Sequence, residues 1–168
     1  MAISASDILI FLSGGAGNAD PNASLGGVIS TTQIVDATLS NLFDPVAGVE
    51  SRDGDISYRC FYVKNNHGSL TWQAVKTFIL TQATDNNAVA IGLDPVGVNG
   101  TATTVVDEFT APAGVSFSTP VTEGTALAIG DIPNGQKQAI WVRRTVTAGA
   151  VALNVDTAVV RIEGDTAA

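Results

Sequence analysis

The chain has little of what most enzymes use for chemistry. Its 168 residues include one cysteine, Cys60, and one histidine, His67. A single cysteine excludes an internal disulfide, and this pair cannot supply the usual nitrogen and sulfur ligands of zinc. Cys60 also lies within an apolar run, where a thiol usually packs as a small hydrophobic group. The sequence therefore predicts neither redox chemistry nor a zinc site.

Nucleophilic catalysis has equally little support. A triad would have to use His67, which stands in the polar stretch 65–69, a pattern typical of a turn. The Gly-x-Ser-x-Gly elbow is absent, and the glycines at 14–17 lack the order of a phosphate-binding loop and its lysine. We therefore expect no catalytic residue.

Positive charge is scarce and long apolar runs are missing. Only 8 residues are Lys or Arg against 16 Asp or Glu, which gives a net charge of −8. Because nucleic-acid binding depends on clustered basic side chains, DNA and RNA are excluded as expected partners. The first apolar run, Ile8–Leu12, has five residues and no basic residue before it, so we expect neither a signal peptide nor a membrane span.

Acidic loops leave two alternatives to a solvated surface. Glu50, Asp53 and Asp55 are spaced so that a turn could gather their oxygens around calcium, although the EF-hand pattern is absent. Glycoside hydrolysis would need paired carboxylates, drawn from these residues or from Asp107 and Glu108. The prediction is nevertheless no metal and no cofactor, since acids in loops are ordinarily hydrated.

Two tryptophans could line a carbohydrate platform. Trp72 and Trp141 each have apolar neighbours within a predicted strand, however, and this favours a place in the core.

What the chain does have is a large excess of residues that favour strands. Val, Ile and Thr number 19, 12 and 18, against 4 Glu, 3 Lys and 1 Met, and β-branched side chains pack well on pleated surfaces. Turn signals separate short apolar segments, as in an all-β, antiparallel β-sandwich of the immunoglobulin-like or jelly-roll type. The predicted strands are 8–12, 56–64, 71–80, 88–93, 127–129, 139–146 and 151–162, with a hairpin over 96–106 that turns at Asn99-Gly100.

The N-terminal part is harder to assign. Residues 1–52 are interpreted as a strand and an extended, partner-facing segment, and residues 53–168 as the sandwich core of the same domain. The stretch 25–44 contains helical spacings as well as extended possibilities and is not assigned to either. Apolar residues without an intrachain place commonly mark an interface. The alternative is that this segment folds over one end of its own sandwich. The predicted interface residues are Leu25, Val28, Ile29, Leu39, Leu42 and Phe43.

Several stretches resemble a group of tailed-phage virion structural proteins. They are residues 12–15 (LSGG), 20–27 (DPNASLGG), 41–44 (NLFD), 58–65 (YRCFYVKN), 132–135 (IPNG) and 140–146 (IWVRRTV). The resemblance implies a virion component assembled in the host cytoplasm. Sandwich proteins of this size resemble capsid decoration, or cement, proteins, which bind the outer shell as trimers. The expected partners are the major capsid protein and further copies of the chain. The alternatives are a tail, neck or baseplate subunit and a carbohydrate- or receptor-binding module.

Overall fold

The computed structural model describes residues 2–84, 87–151 and 156–166, and its secondary structure is nearly all β. About 40% of the chain is strand and 9% helix, and the sheets are antiparallel and packed together, which confirms the predicted sandwich-like all-β fold. The strands are β1 (Ile8–Leu12), β2 (Gly26–Gly27), β3 (Asp55–Asn65), β4 (Trp72–Thr81), β5 (Asn87–Leu93), β6 (Ala102–Thr104), β7 (Leu127–Ile132), β8 (Lys137–Val146) and β9 (Val159–Thr166). The α-helix α1 spans Gly48–Asp53, and 3-10 turns cover Ala5–Asp7, Pro21–Ala23 and Glu123–Thr125.

The central layer is a four-stranded sheet in the order β1-β3-β8-β5. β3 and β8 form its middle and pair without interruption from Asp55 opposite Val146 to Lys64 opposite Lys137. Both strands carry apolar and aromatic side chains on their two faces, a pattern that suits a strand covered on both sides. The sheet therefore has two buried faces.

One face packs against a three-stranded sheet in the order β7-β4-β9. Alternate residues of the central strands, such as Phe61, Val63 and Val142, meet Trp72 and Ile79 of β4 in the main hydrophobic cluster. This inter-sheet cluster is the core of the sandwich.

The other face is covered by the two-stranded pair β2-β6 and by loops rather than by a full sheet. Tyr58, Cys60, Tyr62 and Trp141 lie beneath this cover in a second cluster. A Cβ atom on Gly26 would lie 1.8 Å from the carbonyl oxygen of Thr103, and the φ angle of Gly26 is +86°. Only glycine allows this close approach of the two backbones.

Two predictions about the strands are wrong. The expected hairpin over 96–106 does not form, because β6 pairs with β2 and residues 94–100 make successive turns. Asn99 does adopt a positive φ of 65°, but inside these turns. The last strand begins only at Val159, whereas the prediction began it at 151; residues 152–155 of that span lie outside the described residues.

None of the helices in the described chain has the length and apolar character needed to span a bilayer.

Candidate functional site

The hydrogen bonds of His67 and the burial of Cys60 are typical of structural rather than catalytic residues. The Nδ1 atom of His67 accepts hydrogen bonds from the backbone N–H groups of Ser69 and Leu70, at 3.2 and 3.0 Å, so the imidazole closes the turn after β3. Cys60 is fully buried, and burial raises the pKa of its thiol far above the ordinary range. A buried, protonated thiol is inert as a nucleophile.

The acidic residues considered for calcium do not converge. Glu50 accepts a hydrogen bond from the backbone N–H of Ala47 at the start of α1, and Asp53 forms an ion pair with Arg52 at 2.7 Å. The hydrogen bond from Arg52 lowers the pKa of Asp53. Asp55 lies separately at the start of β3. Within residues 2–84, 87–151 and 156–166, no group of three or more His, Cys, Asp or Glu side chains could hold a metal ion.

Asp107 and Glu108 do not form a catalytic pair either. Asp107 caps its own turn by accepting from the backbone of Phe109 and the hydroxyl of Thr110, at 3.1 and 2.7 Å. Glu108 instead accepts a hydrogen bond from Arg59. The two carboxylates therefore serve different local structures.

The two tryptophans cannot form a sugar platform. Trp72 is 5% exposed and Trp141 is fully buried, on opposite faces of the central sheet. An accessible ring face is needed for stacking against a ligand, so the carbohydrate platform drawn from these residues is excluded.

The six predicted interface residues divide into three environments. Leu25 and Ile29 are partly buried against the outer cluster beneath β2-β6. Leu42 and Phe43 are partly buried against the inter-sheet cluster. Val28 and Leu39 are 51% and 64% exposed. The segment thus folds onto its own sandwich and leaves part of its apolar surface in solvent.

Buried arginines anchor the end of this segment. The ring of Phe43 lies 5.5 Å from the guanidinium carbon of Arg59 and 4.9 Å from that of Arg144, distances at which both cations attract the π-system. Arg144 also donates to the carbonyl oxygen of Asp44 at 2.6 Å and lies 3.5 Å from Glu50. These contacts fix residues 43–50 over one end of the central sheet.

A shallow surface depression of about 220 Å³ lies on the anchored segment. Val35, which is not among the predicted interface residues, is 65% exposed and lines this depression together with Leu39. We call this surface the N-terminal patch; its walls include Ala19, Pro21, Ile34, Val35 and Leu39. Because this segment has no clear periodicity, the exposure of Val35 could not be predicted from the sequence.

A larger cavity of about 1360 Å³ lies between the two sheets. Its apolar walls come from β1, β3, β4, β8 and β9, through Ile10, Phe61, Trp72, Val142 and Ile162. Asp36, Asp44 and Asp156 also line it. Among the described residues, neither His67 nor Cys60 lines this cavity.

No protein-family model, curated protein or solved structure matches the chain.

Proposed function

We propose that the chain is a non-enzymatic structural protein of a tailed-phage virion, a capsid decoration protein that binds the outer shell as a homo-oligomer and stabilises it. The observation that carries this proposal is the N-terminal patch. Val35 and Leu39 are about two-thirds exposed. Apolar side chains on a surface held in one place are typical of an interface with another protein.

The anchoring of the patch supports this role. Phe43 and Asp44 are held by Arg59 and Arg144, whose side chains are 1% and 8% exposed. The segment that presents Val35 and Leu39 is therefore tied to the sandwich a few residues later. A surface that is already ordered loses little conformational entropy on binding.

Charge favours the outside of the shell over the inside. The chain carries a net charge of −8. A packaged genome would repel such a domain, whereas the outer surface imposes no comparable cost. The major capsid protein is accordingly the expected partner.

Copy number in purified particles tests the proposal. Particles of the phage that encodes the chain are purified, and the chain is counted against the major capsid protein by quantitative mass spectrometry. A decoration protein is expected at hundreds of copies per particle. A count of about six or twelve would instead assign the chain to a neck or baseplate ring, and its absence from particles would overturn the virion role.

The patch is tested by the double variant Val35→Asp, Leu39→Asp. Both side chains are exposed, so the variant should fold while its binding to shells that lack the chain falls strongly. The matched control is Val121→Asp, since Val121 is 56% exposed and lies outside the patch. Equal shell binding by the double variant and the control would contradict a role for the patch.

A further inference from the structure

The strand β9 forms one edge of the three-stranded sheet. It pairs with β4 over most of its eight residues, and within the described part of the chain its other edge pairs with no strand. Val159, Arg161 and Asp165 along it are exposed. An unpaired edge of this length offers a row of backbone donors and acceptors that another strand can use.

The side chains of β9 divide by face. Val160 and Ile162 point inward, where they pack partly buried against the inter-sheet cluster and line the large cavity. Arg161 and Glu163 lie on the outer face, with the Nε atom of Arg161 2.8 Å from a carboxylate oxygen of Glu163. The guanidinium has five N–H donors, so this contact leaves others available to a second carboxylate.

From this arrangement we infer that β9 pairs antiparallel with the β9 of a second copy, with the two-fold axis at Ile162. In this register Arg161 lies opposite the partner's Glu163, and Glu163 lies opposite the partner's Arg161. Residues directly opposite in an antiparallel pair are close enough for opposite charges to attract. The sheet becomes a continuous six-stranded sheet across the two copies.

Charge disfavours the neighbouring registers. An axis at Arg161 sets two arginines against each other, and an axis at Glu163 does the same for two glutamates. An axis at Gly164 brings Glu163 opposite the partner's Asp165. An axis between two residues would place the partner's charged side chains on the apolar face, since a shift of one residue exchanges the faces of a strand.

The inner face favours the same register. With the axis at Ile162, the two Ile162 side chains lie opposite each other where the large cavity reaches β9. Pairing therefore adds apolar contact beside side chains that are only partly buried in one copy. A second copy of this chain is the partner whose charge pattern fits the edge.

The pairing of β9 is a property beyond the proposed function, and it does not depend on where in the particle the chain lies. An isologous pairing gives a dimer, whereas the resemblance implies a trimer. A trimer in solution would overturn the β9 pairing and leave the virion role standing. Loss of the virion role would leave the pairing untouched.

The pairing is tested by reversing the charge at position 161 or 163 and then mixing the two variants. Wild-type protein, Arg161→Glu and Glu163→Arg are each examined by light scattering and native mass spectrometry at physiological ionic strength. Wild-type protein is expected to be dimeric. Each variant alone sets like charges opposite each other, so its dimer dissociation constant should rise about tenfold or more.

The mixture of the two variants is the decisive sample. Arg161→Glu carries two acids at positions 161 and 163, and Glu163→Arg carries two bases there, so a heterodimer restores both intermolecular pairs. The in-chain pair between the two positions stays broken in both variants. Heterodimers identified by their mass therefore report the contact between copies rather than the fold of one copy.

Two outcomes would overturn the inference. One is a monomeric or trimeric wild-type protein, and the other is a mixture that forms no more dimer than the separate variants. If Glu163→Arg does not fold, hydrogen exchange of wild-type protein and Arg161→Glu supplies the test. The amides of 159–165 that face away from β4 should be protected in concentrated wild-type protein and should lose that protection on dilution, whereas those bonded to β4 stay protected. Protection of the outward-facing amides that is unchanged by dilution would overturn the pairing.

Discussion

The indole Nε1 atom of Trp141 donates a hydrogen bond of 2.9 Å to the carboxylate of Asp94, and both residues are buried. Asp94 also accepts from the backbone N–H groups of Val96 and Thr103, at 3.1 and 2.8 Å. One carboxylate thus joins β8 to the turn after β5 and to β6. It links the pair β2-β6 and the adjoining loops, which have few strand pairs of their own, to the central sheet.

We expect Asp94→Asn to destabilise the fold by about 1–3 kcal/mol. An amide of the same size turns its NH₂ group toward donors, so at least one buried N–H loses its acceptor. Urea unfolding followed by circular dichroism measures the change, with Asp165→Asn at an exposed carboxylate as the control. Equal midpoints for the two variants would show that the network contributes little to stability.

A second prediction concerns the buried guanidinium of Arg59. Its side chain is 1% exposed, and it donates to Glu108, to Asn22 at 3.0 Å and to the carbonyl oxygen of Tyr58 at 3.1 Å. Glu108→Gln removes the closest compensating charge. Because breaking a buried ion pair leaves an uncompensated charge, we expect a loss of about 1–3 kcal/mol, reduced by the partial exposure of Glu108.

The double variant Arg59→Met, Glu108→Gln provides the matched test. It removes the charge together with its partner, so it should be less destabilised than the sum of the two single variants. Urea unfolding of wild-type protein, the two single variants and the double variant completes this double-mutant cycle. Strict additivity would mean that Arg59 and Glu108 are not coupled.

The strands could be predicted where local pattern and tertiary structure agree. The sequence predicts β1 at its observed bounds, and β3, β4, β5 and β8 to within one or two residues, because each is a β-rich run that ends at a turn. The pairing order could not be predicted. β8 lies between β3 and β5, and the contacts that select this order join residues far apart in the sequence.

The wrong or missing predictions also arise from contacts between residues far apart in the sequence. Asn99-Gly100 is a good turn sequence, but the pairing of β6 with Gly26–Gly27 outweighed the local hairpin. Arg59 and Asp94 look like surface residues in the sequence, since their partners lie elsewhere in the chain: Glu108 on a loop for Arg59, and Thr103 of β6 and Trp141 of β8 for Asp94. Exposure of Val35 depends on how an irregular segment lies over the sheet, which no periodicity encodes.

High pH should destabilise the protein through Tyr62. Burial raises the pKa of Tyr62 to about 12 from the ordinary value of 10.0. Because the folded state favours the neutral phenol, this contribution to stability is complete below pH 10 and is lost as the pH rises toward about 12. Burial raises the pKa of the Cys60 thiol as well, which acts in the same direction.

Urea unfolding across the alkaline range measures this effect. The free energy of unfolding should fall from about pH 9 upward, and Cys60→Ala and Tyr62→Phe should each make the fall less steep. Tyr62→Phe should also lower stability at neutral pH by about 1–3 kcal/mol, because the hydroxyl donates to Gly27 at 2.6 Å and accepts from Ala102 at 2.8 Å. A flat alkaline profile in wild-type protein would contradict the prediction.

Deletion of residues 1–44 should abolish cooperative folding rather than release a stable core. β1 pairs with β3 from Ile8 opposite Asn65 to Leu12 opposite Phe61, and Leu12 is 2% exposed. The deletion also removes Phe43 from between the two arginines. Arg59 and Arg144 keep Glu108 and Glu50 but lose the cover of Phe43 and Asp44, and the edge of β3 is left unpaired. Together these losses exceed the few kcal/mol by which a domain is stable.

Thermal unfolding followed by circular dichroism tests this expectation, with deletion of residues 1 and 2 as the control because it spares β1. The control should unfold cooperatively near the wild-type midpoint, whereas the long deletion should show no cooperative transition. If the long deletion instead keeps a cooperative transition and loses only its binding to shells, residues 1–44 act as a detachable arm. The contacts of Leu12 and Phe43 would then be dispensable for folding.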